Sequence, residues 1–491
     1  MREQPEIEAT PQNTPSEPRR ERDVRRFERE TDVLVVGLGV AGVCASLEAH
    51  AAGAKVLALE RAGAGGGTSA NSGGMIYLGG GTPVQLAAGF EDTPEEMFRF
   101  LVAASQPGAN EEKIRLFCER SVEHFHWLEA QGVPFKRSFH PEPGMESPTD
   151  DGLAYSAGED RHPFREWAKP APRGHQPRVP GKGGPLLMQR LLRAFEQTAC
   201  EAVPDARAQT LITAEDGAVV GAVVRSAGEE FCVRARKGVV LAAGGFVMNR
   251  AMRALHAPEL NRCKVRSATE GDDGAGIRMG QGVGGEAIHM DLGEVALPYT
   301  IPHRLSRGVY VNAQAQRFIN EDTYYGHVGV EGLYRQRGEV YLLLDDETFE
   351  RGLVGIEPSW VGETVSEVER EAGLPEGALV GTVDFYNRHA ERGIDPLFHK
   401  RPEALVPLRK PPFALVDCRV DRALWSCFTL GGLNTDRDGA VLRPDGVAVP
   451  GLYAAGRTAA IFTGHTYAGS GTSLADGSFF GRRAGRAAAA R

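Results

Sequence analysis

The stretch TDVLVVGLGVAGVCASLEAHAAGAKVLALE, residues 31–60, decides the fold that we predict for this chain. Residues 33–36 are apolar enough for a buried parallel strand, and residues 40–52 alternate small and apolar side chains as a packed helix does. A second apolar run follows and ends at the acidic Glu60. The order strand, glycine turn, helix, strand and acid indicates a Rossmann-like βαβ unit.

Three glycines stand where the first strand meets the helix: Gly37, Gly39 and Gly42. Gly37 permits a tight turn, Gly39 lets a pyrophosphate approach the backbone, and Gly42 lets the helix lie close to the strand. The helix N-terminus adds free N–H donors and the positive end of the helix dipole. Glu60 is placed to accept hydrogen bonds from ribose hydroxyls. In this context the motif predicts dinucleotide binding.

Composition narrows the class of protein. A chain of 491 residues is long enough for two or three domains. The net charge of −9 leaves no basic surplus to neutralise phosphates, which argues against a nucleic-acid partner. The 7 cysteines form no CxxC pair, and no histidine pair has a carboxylate at ligand spacing, so we predict no metal site. Scattered thiols are typical of a reduced, cytoplasmic protein.

Residues 1–30 are rich in Pro, Glu and Arg and contain no apolar run. We expect a disordered leader with neither a signal peptide nor a membrane span. An amphipathic mitochondrial or surface helix is the alternative, but the segment carries too many acids for a transit peptide.

Residues 63–82 are rich in glycine and form either a flexible linker or a surface for a flat polar ring system such as isoalloxazine. We prefer the flavin interpretation because hydroxyl and amide side chains alternate with bare backbone. These residues are Thr68, Ser69, Asn71, Ser72, Gly73 and Gly74.

The middle of the chain mixes several patterns. Residues 93–131 predict helices, and residues 211–233 predict a hairpin around a turn at Asp216. Residues 134–184 show no sustained period and predict a long surface loop with solvated histidines. Residues 238–246 predict a second buried strand that returns the chain to the sheet beside the nucleotide.

The sequence pattern changes near residue 290 and again near residue 411. Before a predicted helix, Asp272 or Asp273 could cap the helix or accept a hydrogen bond from a ribityl chain. Residues 290–410 lack any Rossmann-like turn and look like an inserted domain of short strands and acidic helices. Residues 411–491 return to the first style, ending in a helix opened by residues 470–473. Free N–H groups of that helix can face the pyrimidine edge of a flavin.

Several of these motifs together resemble the succinate dehydrogenase/fumarate reductase flavoprotein superfamily. They are TSANSGG (residues 68–74), VLAAGGF (240–246), GVYVNAQAQRFINEDTYYG (308–326) and GTSLADGSFFGRRAG (471–485). Within the superfamily the chain is most similar to the 3-ketosteroid dehydrogenases, especially the Δ4-(5α) type. The resemblance implies an α/β fold in which a Rossmann-like FAD-binding domain is interrupted by an α+β catalytic cap domain.

The implied domain bounds are 31–289 and 411–491 for the FAD-binding domain and 290–410 for the cap. FAD is expected to be noncovalent because no histidine occurs at the glycine segment where respiratory relatives attach the flavin. The implied cofactor-binding residues are Gly37, Gly39, Val40, Ala41, Gly42, Glu60, Arg61, Thr68, Ser69, Ser72, Gly73, Gly74, Ala243, Gly244, Asp273, Gly456, Arg457, Gly471, Ser473 and Leu474.

Fumarate reductases are the competing branch of the superfamily. They carry HxTMGG where this chain has CFTLGG, so Cys427 falls where their histidine holds a substrate carboxylate. A thiol cannot bind a carboxylate in that way. Arg304 and Arg307 in the cap could still replace the proton donor of the fumarate-type enzymes, which leaves that branch open.

The chemistry of ketone desaturation requires a base for the α proton, an electrophile for the carbonyl and flavin N5 as hydride acceptor. Tyr467 is the candidate for carbonyl polarisation or for the base, and Ser470 is a base, a relay or only a helix N-cap. The family pattern is Tyr-x-Ser, whereas this chain has one more residue between Tyr467 and Ser470. Tyr324 or Tyr325 could hand the proton onwards, and any of the tyrosines could be a core aromatic.

The resemblance therefore implies an FAD-dependent dehydrogenase that introduces a C=C bond α,β to a ring ketone, steroid or monocyclic, by α-proton abstraction and β-hydride transfer. Its partners would be a small cyclic ketone and an unidentified electron acceptor. The alternatives are a fumarate-reductase-like enoate reductase and a flavin-bearing electron-transfer subunit without substrate chemistry.

Overall fold

The structure, a computed structural model, describes residues 10–105, 107–142, 147–297, 303–351 and 357–491. Its α-helices are α1 (Val40–Ala51), α2 (Gly67–Asn71), α3 (Pro83–Ala87), α4 (Pro94–Ala104), α5 (Glu111–Ala130), α6 (Phe164–Trp167), α7 (Gly184–Glu196), α8 (Arg250–His256), α9 (Ala275–Gly282), α10 (Tyr325–Val330), α11 (Val365–Ala372), α12 (Ala378–Ala390) and α13 (Thr472–Ala490).

The strands are β1 (Arg19–Arg20), β2 (Arg29–Val36), β3 (Val56–Leu59), β4 (Ile76–Tyr77), β5 (Leu153–Ala154), β6 (Gly174–His175), β7 (Glu201–Val203), β8 (Ala206–Thr213), β9 (Val219–Ser226), β10 (Glu229–Leu241), β11 (Val265–Arg266), β12 (Ala287–Ile288), β13 (Gly293–Ala296), β14 (Val309–Asn312), β15 (Val340–Leu344), β16 (Trp360–Gly362), β17 (Phe413–Asp417), β18 (Ser426–Thr429), β19 (Gly432–Leu433), β20 (Ala440–Leu442) and β21 (Ala448–Ala454).

The βαβ unit predicted from residues 31–60 forms the centre of the largest sheet, in which β2 runs parallel to both β3 and β10. The strand order is β1-β8-β9-β10-β2-β3-β7, and β21 pairs in parallel with the C-terminal half of β10. Strand β2 is apolar because both faces of the sheet are covered there; Val33, Leu34 and Val35 are fully buried. The predicted α/β, Rossmann-like fold is confirmed.

The terminal helix α13 packs along α1 on one face of this sheet. A Cβ at Gly481 would come within 2.5 Å of the Ala41 carbonyl oxygen, and one at Gly485 within 2.0 Å of the Ala45 carbonyl oxygen. Only glycine permits so close an approach of two helix backbones. The glycines therefore fix α13 against α1, with both helix N-termini near the end of β2.

A second layer of structure is the α+β cap, whose sheet has the order β14-β15-β17-β16 and packs against α11 and α12. Its last strand, β17, lies beyond residue 410, the boundary proposed from the sequence. Short strands β11, β18 and β13 pair with one another, so residues 265–296 and 426–429 meet between the cap and the large sheet. This junction supplies one wall of the site described below.

The prediction of a disordered leader is wrong for residues 10–30, while residues 1–9 lie outside the described residues. Strand β1 adds to the edge of the large sheet by pairing Arg19 with Ile212. Phe27 packs against the small buried cluster of Ile212 and Val223. Edge pairing uses backbone groups, so it leaves little trace in a polar sequence.

The prediction of a surface loop over residues 134–184 is also wrong in part. Strands β5 and β6 join β4 in a small sheet, and the ring of His175 is fully buried with one nitrogen 2.7 Å from Thr82 Oγ1. Arg173 and Asp92 form a buried ion pair nearby. The polar residues that suggested solvent exposure instead form hydrogen bonds and ion pairs with buried partners.

Candidate active site

A cavity of ≈ 560 Å³ extends from the glycine turn after β2 to the junction with the cap. All of the predicted catalytic residues and every predicted cofactor-binding residue except Gly42 line it. Segments far apart in the sequence, from β2, α2, the end of β10, the cap and the start of α13, therefore meet at one place.

The end of the cavity beside β2 is built largely from backbone. Gly37 has φ 103° and its Cβ would lie 2.4 Å from the Ala242 carbonyl oxygen, so another residue does not fit there. Gly42 faces the turn, where a Cβ would be 1.8 Å from the Gly37 carbonyl oxygen. Gly42 thus lies behind the cavity wall, as expected of the residue that brings helix and strand together.

The carboxylate of Glu60 is held at this end by two backbone groups. Its oxygens accept from the N–H of Leu38 and of Ala62, each at 2.9 Å. The side chain is buried and borders the cavity. An oriented acceptor at the end of the second strand is what ribose recognition requires.

Asp272 and Asp273 have separate roles, which the sequence could not divide between them. Asp273 precedes the N-cap residue of α9, accepts from the Ala275 N–H at 3.0 Å and also pairs with Arg61 and Arg207. Asp272 is 2% exposed and binds Arg457 at 2.8 Å.

Asp272 also holds two other segments of the cavity wall, since it accepts from Thr68 Oγ1 at 2.7 Å and from the Gly245 N–H. It therefore ties the glycine segment, the end of β10 and the turn after β21 together. Arg457 Nη1 is buried and has no hydrogen-bond partner among the described residues, and Arg457 borders the cavity. A buried guanidinium N–H group that has no hydrogen-bond partner indicates a polar or anionic ligand at this point.

The opposite end of the cavity carries the tyrosines. The hydroxyl of Tyr467 accepts from the Ser473 N–H at the start of α13, at 3.0 Å. Its ring packs edge-on against Phe428, with centroids 5.2 Å apart. Burial raises the pKa of Tyr467 above its ordinary value, so the group stays protonated and its own O–H is left to donate.

Three hydroxyls and a carboxylate form a continuous hydrogen-bonded chain beside Tyr467. Tyr325 Oη lies 2.6 Å from Ser470 Oγ, Ser470 donates to Tyr324 Oη at 3.4 Å, and Tyr324 donates to Glu294 Oε1 at 3.0 Å. Ser470 is not a helix N-cap, because Gly471 occupies that position in α13 and no side chain caps it. The extra residue after Tyr467 still leaves Ser470 in contact with both cap tyrosines.

Glu294 was missed by the sequence analysis. It lies on β13, is 3% exposed, and borders the cavity. Burial raises its pKa to about 8, opposed in part by the hydrogen bond from Tyr324. The sequence gives no local motif for it, because its partners come from α10 and from the loop before α13.

The acids of the EDTYYG motif hold the cap tyrosines in place and do not face the cavity. Glu321 is fully buried and forms two hydrogen bonds with Arg317, at 2.9 and 2.8 Å. Asp322 pairs with Arg401 at 2.9 Å. These contacts fix the chain just before Tyr324, whose ring is 4.5 Å from that of Tyr325.

The features that suggested a fumarate-type site do not meet at the cavity. Arg304 is exposed and donates to the Glu347 carbonyl at 2.7 Å, and neither it nor Arg307 borders the cavity. The side chain of Cys427 points into the hydrophobic cluster of the cap, with Sγ 3.7 Å from the Leu260 carbonyl oxygen. Its neighbour Phe428 borders the cavity, and Cys427 does not.

The residues present fit a flavin dinucleotide, since bare backbone, an oriented carboxylate and a buried arginine donor follow one another along an extended cavity. The fold and the site define a flavoprotein oxidoreductase. Residues 32–474 match the family described as FAD binding domain, and the chain belongs to this family, of the succinate dehydrogenase/fumarate reductase flavoprotein superfamily. Its cofactor is FAD.

Known proteins similar to the chain come from two branches of that superfamily. A crystal structure of 3-ketosteroid-Δ4-(5α)-dehydrogenase from Rhodococcus jostii RHA1 is 47% identical, with a TM-score of 0.92 over 96% of this chain and 99% of that one. The 3-oxo-5-alpha-steroid 4-dehydrogenase of Comamonas testosteroni is 27% identical over 87% of this chain and 92% of the relative. The probable fumarate reductase Ifc3 of Shewanella frigidimarina is 28% identical over 94% and 75%.

This chain is therefore an FAD-dependent oxidoreductase related to the 3-ketosteroid dehydrogenases. Within the described ranges, no helix has the length and apolar character needed to cross a bilayer.

Proposed function

We propose that this protein desaturates a 3-ketosteroid or a similar cyclic ketone next to the carbonyl, as a dehydrogenase of the Δ4-(5α) type. The observation that carries the proposal is the pairing of one donor with one proton-accepting chain in the same cavity. Tyr467 can donate to a carbonyl, while Tyr325, Ser470 and Tyr324 form the chain. The Rhodococcus jostii structure, 47% identical, is a complex with 4-androstene-3,17-dione.

The cavity wall divides between cofactor and substrate. We assign FAD to the backbone-rich part, with Glu60 at the ribose, Arg457 and the α13 N-terminus near the ring system, and no covalent link. Bound FAD supplies a hydride acceptor at N5. The remaining part, bordered by Phe428, Ala296 and the tyrosines, is left for the ketone.

Tyr467 is assigned as the electrophile and not as the base. Its oxygen already accepts from the Ser473 N–H, so the hydroxyl proton is directed to another acceptor. The raised pKa keeps that proton in place at neutral pH. A hydrogen bond to the ketone oxygen strengthens as enolate character grows, which acidifies the neighbouring C–H.

Tyr325 or Ser470 is assigned as the group that takes the α proton. The two oxygens are 2.6 Å apart, so a proton that arrives on either one can be shared at once. A neutral hydroxyl is a weak base, and it can act only if its own proton leaves at the same time. Tyr324 accepts a hydrogen bond from Ser470, so it can take the proton that Ser470 releases.

The test of this proposal is a comparison of substrates with the purified protein and an artificial dye as electron acceptor. We expect saturated 3-ketosteroids to be oxidised with a higher kcat/KM than monocyclic ketones, because the 47% identical Rhodococcus jostii structure is a complex with a steroid. With reduced dye as donor, fumarate should be a poor substrate. Rapid fumarate reduction without oxidation of any ring ketone would overturn the proposal.

A further inference from the structure

We propose that the carboxylate of Glu294 is the final acceptor of the substrate proton, which reaches it through the hydroxyls of Tyr325, Ser470 and Tyr324. This inference rests on the proposed ketone desaturation and adds a residue to it. Glu294 does not need to touch the substrate, since it acts through Tyr324.

The direction of the hydrogen bonds follows from the chemistry of the groups. In its ionised form the Glu294 carboxyl can only accept, so in that state Tyr324 gives its single proton to Glu294. Tyr324 must then accept from Ser470, and Ser470 must accept from Tyr325. Every hydroxyl in the chain therefore donates towards Glu294, which is the order that a proton shift requires.

Among the residues that the structure describes, no cation at Glu294 would hold its carboxylate charged in advance. No salt bridge formed by the described residues involves Glu294, and its Oε2 is buried without a partner among them. From α10 and its start, Tyr324, Tyr325 and His327 face this region, and burial lowers the pKa of His327 to about 4, so it is neutral.

On the other sides the neighbours from the strand and the loop are uncharged, and the cationic Arg457 lies beyond them, 5.5 Å from the centre of the Phe428 ring. The loop before α13 brings Tyr467, and the opposing residue of β18 is Phe428, while Cys427 points to the other face of that strand. The remaining carboxyl near the chain is Glu159. It accepts from the N–H of Ser156 and of Ala157, in the segment whose carbonyl accepts from the Ser470 N–H.

The proton count closes without another reagent. The α C–H bond of the ketone breaks and its proton goes to Tyr325, while the protons of Tyr325, Ser470 and Tyr324 each move one place and the last forms Glu294–COOH. The electron pair of the α C–H bond becomes the π bond of the enolate, and the C=O bond and the α,β C=C bond form as the β carbon loses a hydride, for which bound FAD would supply the acceptor. In the reverse direction, protonated Glu294 returns the proton by the same route.

The sign of the pH dependence follows directly. Glu294 must be ionised to accept, and its pKa is about 8, so ketone oxidation should speed up as the pH rises through about 8. Reduction of the enone product should slow down over the same range, because it needs the protonated acid.

The experiment measures the rate of anaerobic flavin bleaching by a saturated 3-ketosteroid against pH in wild type and Glu294→Gln. We expect the variant to lose the limb near pH 8 and, above it, to react roughly 100-fold or more slowly. Glu331→Gln is the matched control, because Glu331 is half-buried in the cap, pairs with Arg335 and does not border the cavity. Glu159→Gln should keep the limb even if its rate falls.

A second readout does not depend on turnover. Infrared difference spectra of the FAD-loaded protein, taken on the acid and alkaline sides of about pH 8, should show a carboxylic acid band that Glu294→Gln abolishes. If Glu294→Gln does not fold, Tyr324→Phe breaks the chain without changing the carboxyl. It should keep the infrared band and lose the rate.

The outcomes separate the two proposals. A wild-type enzyme that oxidises ketones, with an alkaline limb retained in Glu294→Gln, overturns the role of Glu294 and leaves the proposed function standing. A wild-type enzyme that oxidises no ring ketone overturns both. Loss of the limb and of the infrared band in Glu294→Gln alone supports the inference.

Discussion

The two ends of the cavity are lined by different kinds of chemical group. Beside β2 the contacts come from backbone, from glycines and from a carboxylate fixed by two N–H groups. Beside the cap they come from side-chain hydroxyls supplied by two distant segments, as in the 145-residue separation of Tyr325 and Ser470. The first end is suited to binding one cofactor tightly, and the second to moving a proton.

This difference predicts that changes at the two ends fail in different ways. Damage near β2 should remove FAD, and damage at the tyrosines should leave FAD bound and slow the reaction. The four substitutions that follow test this separation, from the largest expected effect to the smallest.

Gly42→Val should give a protein without bound FAD. An added Cβ would lie 1.8 Å from the Gly37 carbonyl oxygen, so α1 must move away from the turn that we propose for the pyrophosphate. Flavin content after purification measures the effect. Gly381→Ala in α12 is the control; its Cβ meets nothing within 4 Å, and it should gain about 1 kcal/mol of stability with FAD unchanged.

Asp272→Asn should weaken both folding and FAD binding. It removes the charge that pairs with Arg457 at 2.8 Å in a nearly enclosed site, a loss of about 3–5 kcal/mol when one partner of a buried pair is removed. Asp273→Asn, whose partners are more exposed, should cost at most about 1 kcal/mol. Denaturant unfolding with and without FAD measures both, and equal losses in the two variants would contradict the assignment.

Tyr467→Phe should lower turnover by roughly 100-fold to 1000-fold, about 3–4 kcal/mol, because one preorganised donor is lost. FAD content should be unchanged. Tyr453→Phe is the matched control, since its hydroxyl lies away from the cavity near the Ala487 carbonyl, and it should retain full turnover. Normal turnover of Tyr467→Phe would show that another group polarises the carbonyl.

Thr93→Ala should lower the free energy of unfolding by about 1 kcal/mol and change neither FAD content nor turnover. Thr93 Oγ1 accepts from the Glu96 N–H at the start of α4, and Thr93 does not border the cavity. A loss of flavin in this variant would show that FAD content follows overall stability, and the separation of the two ends would then lose its meaning.

The same difference explains which parts could be predicted from the sequence. The turn at Gly37, the helix after it and Glu60 lie within one short stretch, so local spacing was enough to predict them. Glu294 depends on a strand that meets α10 and the loop before α13, and no spacing in the sequence records that meeting. Asp272 and Asp273 are adjacent, and only the packing of Arg457 separates their roles.

Residues 10–30 and 134–184 were misjudged for a related reason. Their polar composition is typical of solvent exposure, yet the first adds to a sheet edge through its backbone and the second buries paired charges such as Arg173 with Asp92. Composition reports what a side chain prefers when it is alone, and not the partner that tertiary structure brings to it.

The most direct test of ketone desaturation is an anaerobic single turnover of the FAD-loaded protein with a saturated 3-ketosteroid, with flavin absorbance and steroid followed in the same sample. The account predicts that the flavin bleaches and that one enone forms for each flavin reduced, with the new double bond next to the carbonyl. Bleaching without an enone, or an unchanged yellow flavin with every ring ketone tried, would contradict it.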